Sequence, residues 1–211
     1  AQAKALPDQG YYRADNAALD AGVETFRDAA DMAPLRRRPL AWWKAQGGLG
    51  TALATRGDRE ADGTRLTEAV DTLRDAIAAA PADTPVDILI DLRSEYAYAL
   101  LLSGMRETGI DRLDQASMML GEAASAIPMN KEPARWGRLM PRLAAVQYEI
   151  GRRTADLNTL EAALGAADAA LQVRTRDATP IDWMSTQNNR AIILSELAAR
   201  GAGNERIEQA I

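Results

Sequence analysis

Neither cysteine nor histidine occurs anywhere in the 211 residues. Disulfides and thiolate metal sites are therefore excluded, and so are the commonest general base and the commonest metal ligand. A Ser-His-Asp or Cys-His mechanism cannot be assembled from this chain alone. Long hydrophobic runs are missing too: charge interrupts every apolar stretch well before the roughly 18 residues of a membrane helix, so no membrane insertion is expected. No positively charged leader with an apolar core opens the sequence, and the expected compartment is the cytoplasm. Positive charge is in deficit, with 25 Lys and Arg against 30 Asp and Glu and a net charge of −5. That balance argues against sequence-independent nucleic-acid binding, which needs a basic footprint to displace counterions. The one basic run, Arg36-Arg37-Arg38 before Pro39, reads as a solvated loop between helices. Lysine is nearly absent beside arginine, at Lys4, Lys44 and Lys131 only, a bias that points to a GC-rich bacterial genome.

What remains is an alanine-rich, aromatic-poor chain, 47% apolar and 26% charged, with aromatics at 5%. Alanine costs least to fix in a helix, whereas strands favour β-branched and aromatic side chains. The expected class is all-α.

Laid against itself, the sequence repeats. Trp42, Leu89, Trp136 and Trp183 recur at intervals of 47 residues. The same shift aligns Gly57, Gly104 and Gly151 with Ala198. It also aligns Ala5, Ala52, Ala99, Val146 and Ile193, and then Leu19, Leu66, Leu113, Leu160 and Ile207. Gly22 joins Ala69, Ala116, Ala163 and Ala210. Phe26 joins Leu73, Leu120 and Ala167, and Ala29 joins Ala76, Ala123 and Ala170. Pro34, Pro81 and Pro128 close three copies, with Thr175 in the fourth. Many columns agreeing on one period mark a repeat architecture.

Inside a copy the apolar positions follow helical spacing. Leu66, Ala69, Val70, Leu73, Ala76 and Ile77 form one stripe, and Leu49, Ala52 and Leu53 form another on the helix before it, so each copy is a helix pair. Gly57 and Gly104 fall where a first helix should end in a left-handed cap. Thr64, Asp111 and Asn204 are placed to cap second helices through a side-chain oxygen. The prolines of 81–85 and 128–133 separate the copies. Helices are expected near 16–31, 40–56, 64–80, 86–104, 111–126, 134–150, 157–173 and 182–199. Pro141, mid-helix, should kink its helix or delay its start.

These residues resemble a tetratricopeptide repeat. Its Trp-x2-Leu-Gly-x2-Tyr and Ala-x3-Phe-x2-Ala pattern with a late proline is met by Gln46, Leu49-Gly50, Leu53, Ala69, Leu73, Ala76 and Pro81. The Trp column stands four residues before the family's own Trp position. The usual period is 34, so the chain is similar to long-period variants such as the kinesin-light-chain type. The resemblance implies a right-handed superhelical solenoid of antiparallel helix pairs over the whole chain. One array spans 1–211: a partial copy 1–34, copies near 39–81, 86–128 and 133–175, and a partial copy 180–211. By this register both ends cut through a helix, as in an interior fragment of a longer array.

Other chemistries fit less well. Gly47-Gly48-Leu49-Gly50 lies inside a helix and lacks the Gly-Lys-Ser/Thr ending of a phosphate loop, so these are packing glycines. Asp58, Glu60, Asp62 and Gly63 resemble the start of a calcium loop, but Ala69 stands where the closing glutamate is needed. The Trp column is expected to plug adjacent pairs. No enzyme activity and no cofactor are expected.

The resemblance implies a concave groove lined by the first helices. Its ligand-facing positions carry over to Lys44, Gly47 and Thr51; to Asp91, Ser94, Glu95 and Tyr98; to Arg138, Arg142, Ala145 and Tyr148; and to Ser185, Asn188, Asn189 and Ile192. Arg138 and Arg142, one turn apart, could fork onto a carboxylate, and Asn189 falls where related domains hydrogen-bond a ligand backbone. The full carboxylate clamp of the family is ruled out, because Gly47, Thr51 and Glu95 stand where Lys, Asn and Asn belong. The leading expectation is a scaffold holding a peptide or partner domain. A regulatory or sensor arm of a larger enzyme or signalling ATPase is the alternative, and self-association through uncapped ends is a third.

Overall fold

A computed structural model describes residues 15–32, 39–61 and 63–201. Among them are eight helices and no strand: α1 Asn16–Met32, α2 Pro39–Asp58, α3 Thr64–Ala78, α4 Val86–Gly104, α5 Asp111–Ala126, α6 Pro133–Thr154, α7 Leu157–Leu171 and α8 Pro180–Ala199. The expected helices are all present, with ends shifted by a few residues. The Arg36–Arg38 run, Asp62, Asn204 and the columns at 5, 34, 207 and 210 lie outside the described residues.

The chain divides into two compact units between Arg106 and Glu107. In the first, α1 packs on α2, α2 on α3, and α4 on both α3 and α2. In the second, α5 packs on α6, α6 on α7, and α8 on both α7 and α6. Within each unit, successive helices are neighbours and the first helices of consecutive copies touch.

The repeat columns are the core. Leu19, Leu66, Leu113 and Leu160 are buried, as are Ala69, Ala116 and Ala163 one turn on and Leu73, Leu120 and Ala167 a further turn on. The first helices contribute Ala52, Ala99, Val146 and Ile193. Alanine in alternate turns lets the helices approach closely, and each buried leucine contributes roughly 1.5–3 kcal/mol.

The glycine column has a different cause from the one expected. Gly57 and Gly151 do not adopt the left-handed conformation, which among the described residues is confined to Gly63, Ala155 and Gly201. They are contact points. A Cβ on Gly57 would lie 2.9 Å from the backbone nitrogen of Leu66, and one on Gly151 would lie 2.8 Å from Leu160 Cγ and 3.0 Å from its nitrogen. The first helix of a pair ends pressed against the start of the second. Gly48 and Gly50 are packing glycines as expected: a Cβ there would meet the Phe26 ring at 2.3 Å and Leu73 at 2.4 Å.

Capping also differs. Gly63 and Ile110 occupy the N-caps before Thr64 and Asp111, and neither end has a side-chain cap bond. Side-chain caps stand one position earlier in the repeat, at Asp15 and Asp156, which are three periods apart. Asp15 accepts the Ala18 N–H at 3.0 Å, and Asp156 accepts the Asn158 N–H at 3.0 Å and the Thr159 hydroxyl at 2.6 Å. These bonds, Thr159 first, hold the half-buried Asp156 carboxyl below its ordinary range. Pro141 neither delays nor divides α6, which begins at Pro133 and runs through it to Thr154.

Candidate functional site

The residues assigned to the groove lie on α2, α4, α6 and α8. In the first unit Lys44 projects into solvent from α2, and Asp91 is exposed on α4. Where α2 meets α4, the Thr51 hydroxyl, 2.9 Å from the Gly47 carbonyl and 2.8 Å from Glu95 Oε2, ties its own helix to the neighbouring one. Gly47 faces Leu92 of α4, whose Cδ2 would lie 3.4 Å from a Cβ there, an ordinary contact distance. Tyr98 is half-buried. Ser94 is buried, and its hydroxyl donates to the Ile90 carbonyl at 2.8 Å, so it faces its own helix rather than a ligand. Thr51 and Glu95 are thus brought together directly.

In the second unit Arg138 is exposed and Arg142 half-buried on α6; Asn188 is exposed and Asn189 half-buried on α8. Tyr148 is half-buried, and its phenol is pushed up by burial and by the nearby Glu196 carboxylate. The next residue, Glu149, is buried. Burial alone would raise its carboxyl, but hydrogen bonds from Arg152 at 2.7 Å and Arg153 at 2.6 Å bring it below its ordinary value.

The Trp column corrects its expectation. Trp42, Leu89, Trp136 and Trp183 are all half-buried rather than enclosed, and Arg176 lies over the Trp183 ring at 5.9 Å. The enclosed column is the next one: Trp43, Ile90 and Gly137 are buried. In the calcium-like segment, Glu60 is engaged by Arg56 and Arg65, each at 2.9 Å.

One set of residues was overlooked in the sequence although its signal is plain. Arg59, Arg106, Arg153 and Arg200 recur at intervals of 47. Each reaches back toward the previous copy. Arg59 donates to Asn16 at 3.0 Å, and Arg106 to the carbonyls of Gly57 and Asp58 at 2.8 and 2.9 Å. Arg153 donates to the carbonyls of Glu107 and Gly109 at 2.7 and 2.6 Å, and Arg200 to that of Arg152 at 2.8 Å. The last carbonyls of a helix lack intrahelical partners, and Arg106 and Arg200 supply them. Carboxylates hold two of these arginines, Glu149 to Arg153 and Glu196 to Arg200, again 47 residues apart.

Among the described residues no helix is long and apolar enough to cross a membrane. In comparisons with protein-family models, curated proteins and solved structures, none matches this chain.

Proposed function

We propose that the chain is a non-catalytic binding scaffold of the tetratricopeptide kind, a right-handed solenoid of 47-residue helix pairs that holds a peptide or partner domain against its first helices. The observation that supports this most is the side-by-side placement of first helices, α2 with α4 and α6 with α8, with the Thr51–Glu95 hydrogen bond joining two groove positions. A surface built from successive parallel helices offers a ligand evenly spaced polar and aromatic side chains: Lys44, Asp91, Glu95 and Tyr98 in one unit, and Arg138, Arg142, Tyr148, Asn188 and Asn189 in the other. Few interface residues dominate binding energy, and Arg and Tyr are prominent among them.

The test is selection from a random-peptide display library, followed by anisotropy titration of the enriched peptides. Arg142→Glu and Asn189→Ala are expected to weaken them by about tenfold or more while the melting temperature holds. Enrichment of no peptide, or equal binding by wild type and both variants, overturns the groove assignment.

A further inference from the structure

Three departures from the repeat meet where α6, the turn after α7 and α8 come together. Gly137 stands in a column that Trp43 and Ile90 fill with large buried side chains. Arg174 stands 47 residues after Ile127, and Thr186 stands 47 residues after Leu139; both apolar residues are 3% exposed. Two buried apolar positions of one copy are thus polar in the next.

The three departures fit one another. A Cβ on Gly137 would lie 3.1 Å from Val173 Cγ2 and 3.7 Å from Arg174 Cγ, so the room that Trp or Ile takes in other copies is taken here by the turn. From this notch the guanidinium reaches α8. Arg174 Nη1 donates to the Thr186 hydroxyl at 3.1 Å, and that hydroxyl donates to the Asp182 carbonyl at 2.7 Å. The Asp182 carboxylate lies 4.0 Å from the same nitrogen. Thr186 is 1% exposed and the Arg174 side chain 15%, so the bond is made away from water.

Drawing a guanidinium out of water costs free energy that an isoleucine at the same place does not. What the polar arrangement adds is direction. Apolar burial is non-directional, whereas a hydrogen bond weakens steeply once its angle or distance leaves a narrow range. An apolar pair tolerates rotation of α8 about its axis; the Arg174–Thr186 bond does not. Thr186 is one turn before Asn189, and Gly137 adjoins Arg138, so the bond acts on the segments that carry groove positions.

We propose that Arg174 is a positioning residue of the second unit's groove. By locking α8 onto α6 at Gly137, it fixes where Asn188 and Asn189 stand relative to Arg138 and Arg142. The positioning role rests on the groove being a binding surface, as proposed above; the lock itself does not.

Arg174→Met keeps the stem in the Gly137 notch and removes the guanidinium. Amide hydrogen exchange along α8 should then quicken about tenfold or more, the effect of losing one charge-assisted hydrogen bond, while α5 is unchanged. Peptides selected against the wild type should weaken by about tenfold. Arg174→Ile combined with Thr186→Leu supplies the side chains of positions 127 and 139 instead. It separates positioning from plain packing: slow exchange along α8 returns, but affinity does not. Equal α8 exchange in wild type and Arg174→Met overturns the lock, whatever the peptides do. Undiminished affinity in Arg174→Met, or full recovery of affinity in the double variant, overturns the positioning role. Enrichment of no peptide removes the groove and the positioning role together, while the exchange result still decides the lock.

Discussion

At the scale of the residue, the least conspicuous side chains carry the sharpest constraints. Gly151 and Gly165 sit in neighbouring helices of one pair, yet a methyl group at the first would press on Leu160, while one at the second would meet nothing within 4 Å. Gly151→Ala is expected to lower stability by about 1–3 kcal/mol through overpacking. Gly165→Ala should raise it by up to about 1 kcal/mol by removing backbone freedom from the unfolded chain. Urea titration of the two variants side by side checks both signs. Glu149 adds a pH dependence. Its carboxyl is depressed below 4.5 in the folded protein despite burial, because Arg152 and Arg153 hydrogen-bond the charged form. The folded state therefore binds that proton more weakly than the unfolded chain. Its contribution is complete above the ordinary carboxylate range and is lost as the pH falls through the folded value. The urea midpoint should decline below about pH 5, and Glu149→Gln should flatten part of that decline while being less stable at pH 7.

At the scale of the element, period and punctuation were legible from composition because each helix buries one stripe at the same phase of the repeat. Leu66 to Ala76 is apolar where the fold needs it, and the prolines at 81, 85 and 133 stop or start helices as their chemistry dictates. The errors arose where one residue type serves two physical purposes. Glycine ends helices in the left-handed conformation and also permits close approach; Gly57 and Gly151 do the second, which depends on a neighbour, Leu66 or Leu160, that local sequence does not locate. Pro141 is the converse case: its missing N–H argues against a helix that starts before it, yet α6 begins at Pro133 and stays helical through it. Part of the proline's local cost is consequently still borne by the folded state. Pro141→Ala should raise stability by roughly 1–3 kcal/mol, read as a higher thermal midpoint with unchanged helical circular dichroism.

At the scale of the molecule, a column of arginines ties each copy to the one before it, beside the packing of helix on helix. Arg153, with a side chain only 14% exposed, bonds two carbonyls of the previous copy and the Glu149 carboxylate, so Arg153→Met should cost about 1.5–3 kcal/mol. Arg106 makes similar bonds from an exposed position, and Arg106→Met should cost less; chemical denaturation of both variants tests the order. The arginine column was visible in the sequence at the same interval as the tryptophans, but charge is ordinarily read as solvated surface. The candidate site was legible only in outline. The helices that carry its residues follow from the period, whereas the inward turn of Ser94 and the Thr51–Glu95 bond depend on how neighbouring helices are rotated, which the apolar stripe alone does not determine. The arginine links have a consequence for assembly of the chain itself. They join residues no more than 49 positions apart, so no contact of this kind waits for distant segments to meet, and loop-closure entropy stays nearly constant from one junction to the next. Folding can then start at any junction and spread in either direction, and a duplicated 47-residue segment inserted in register would bring its own partners with it.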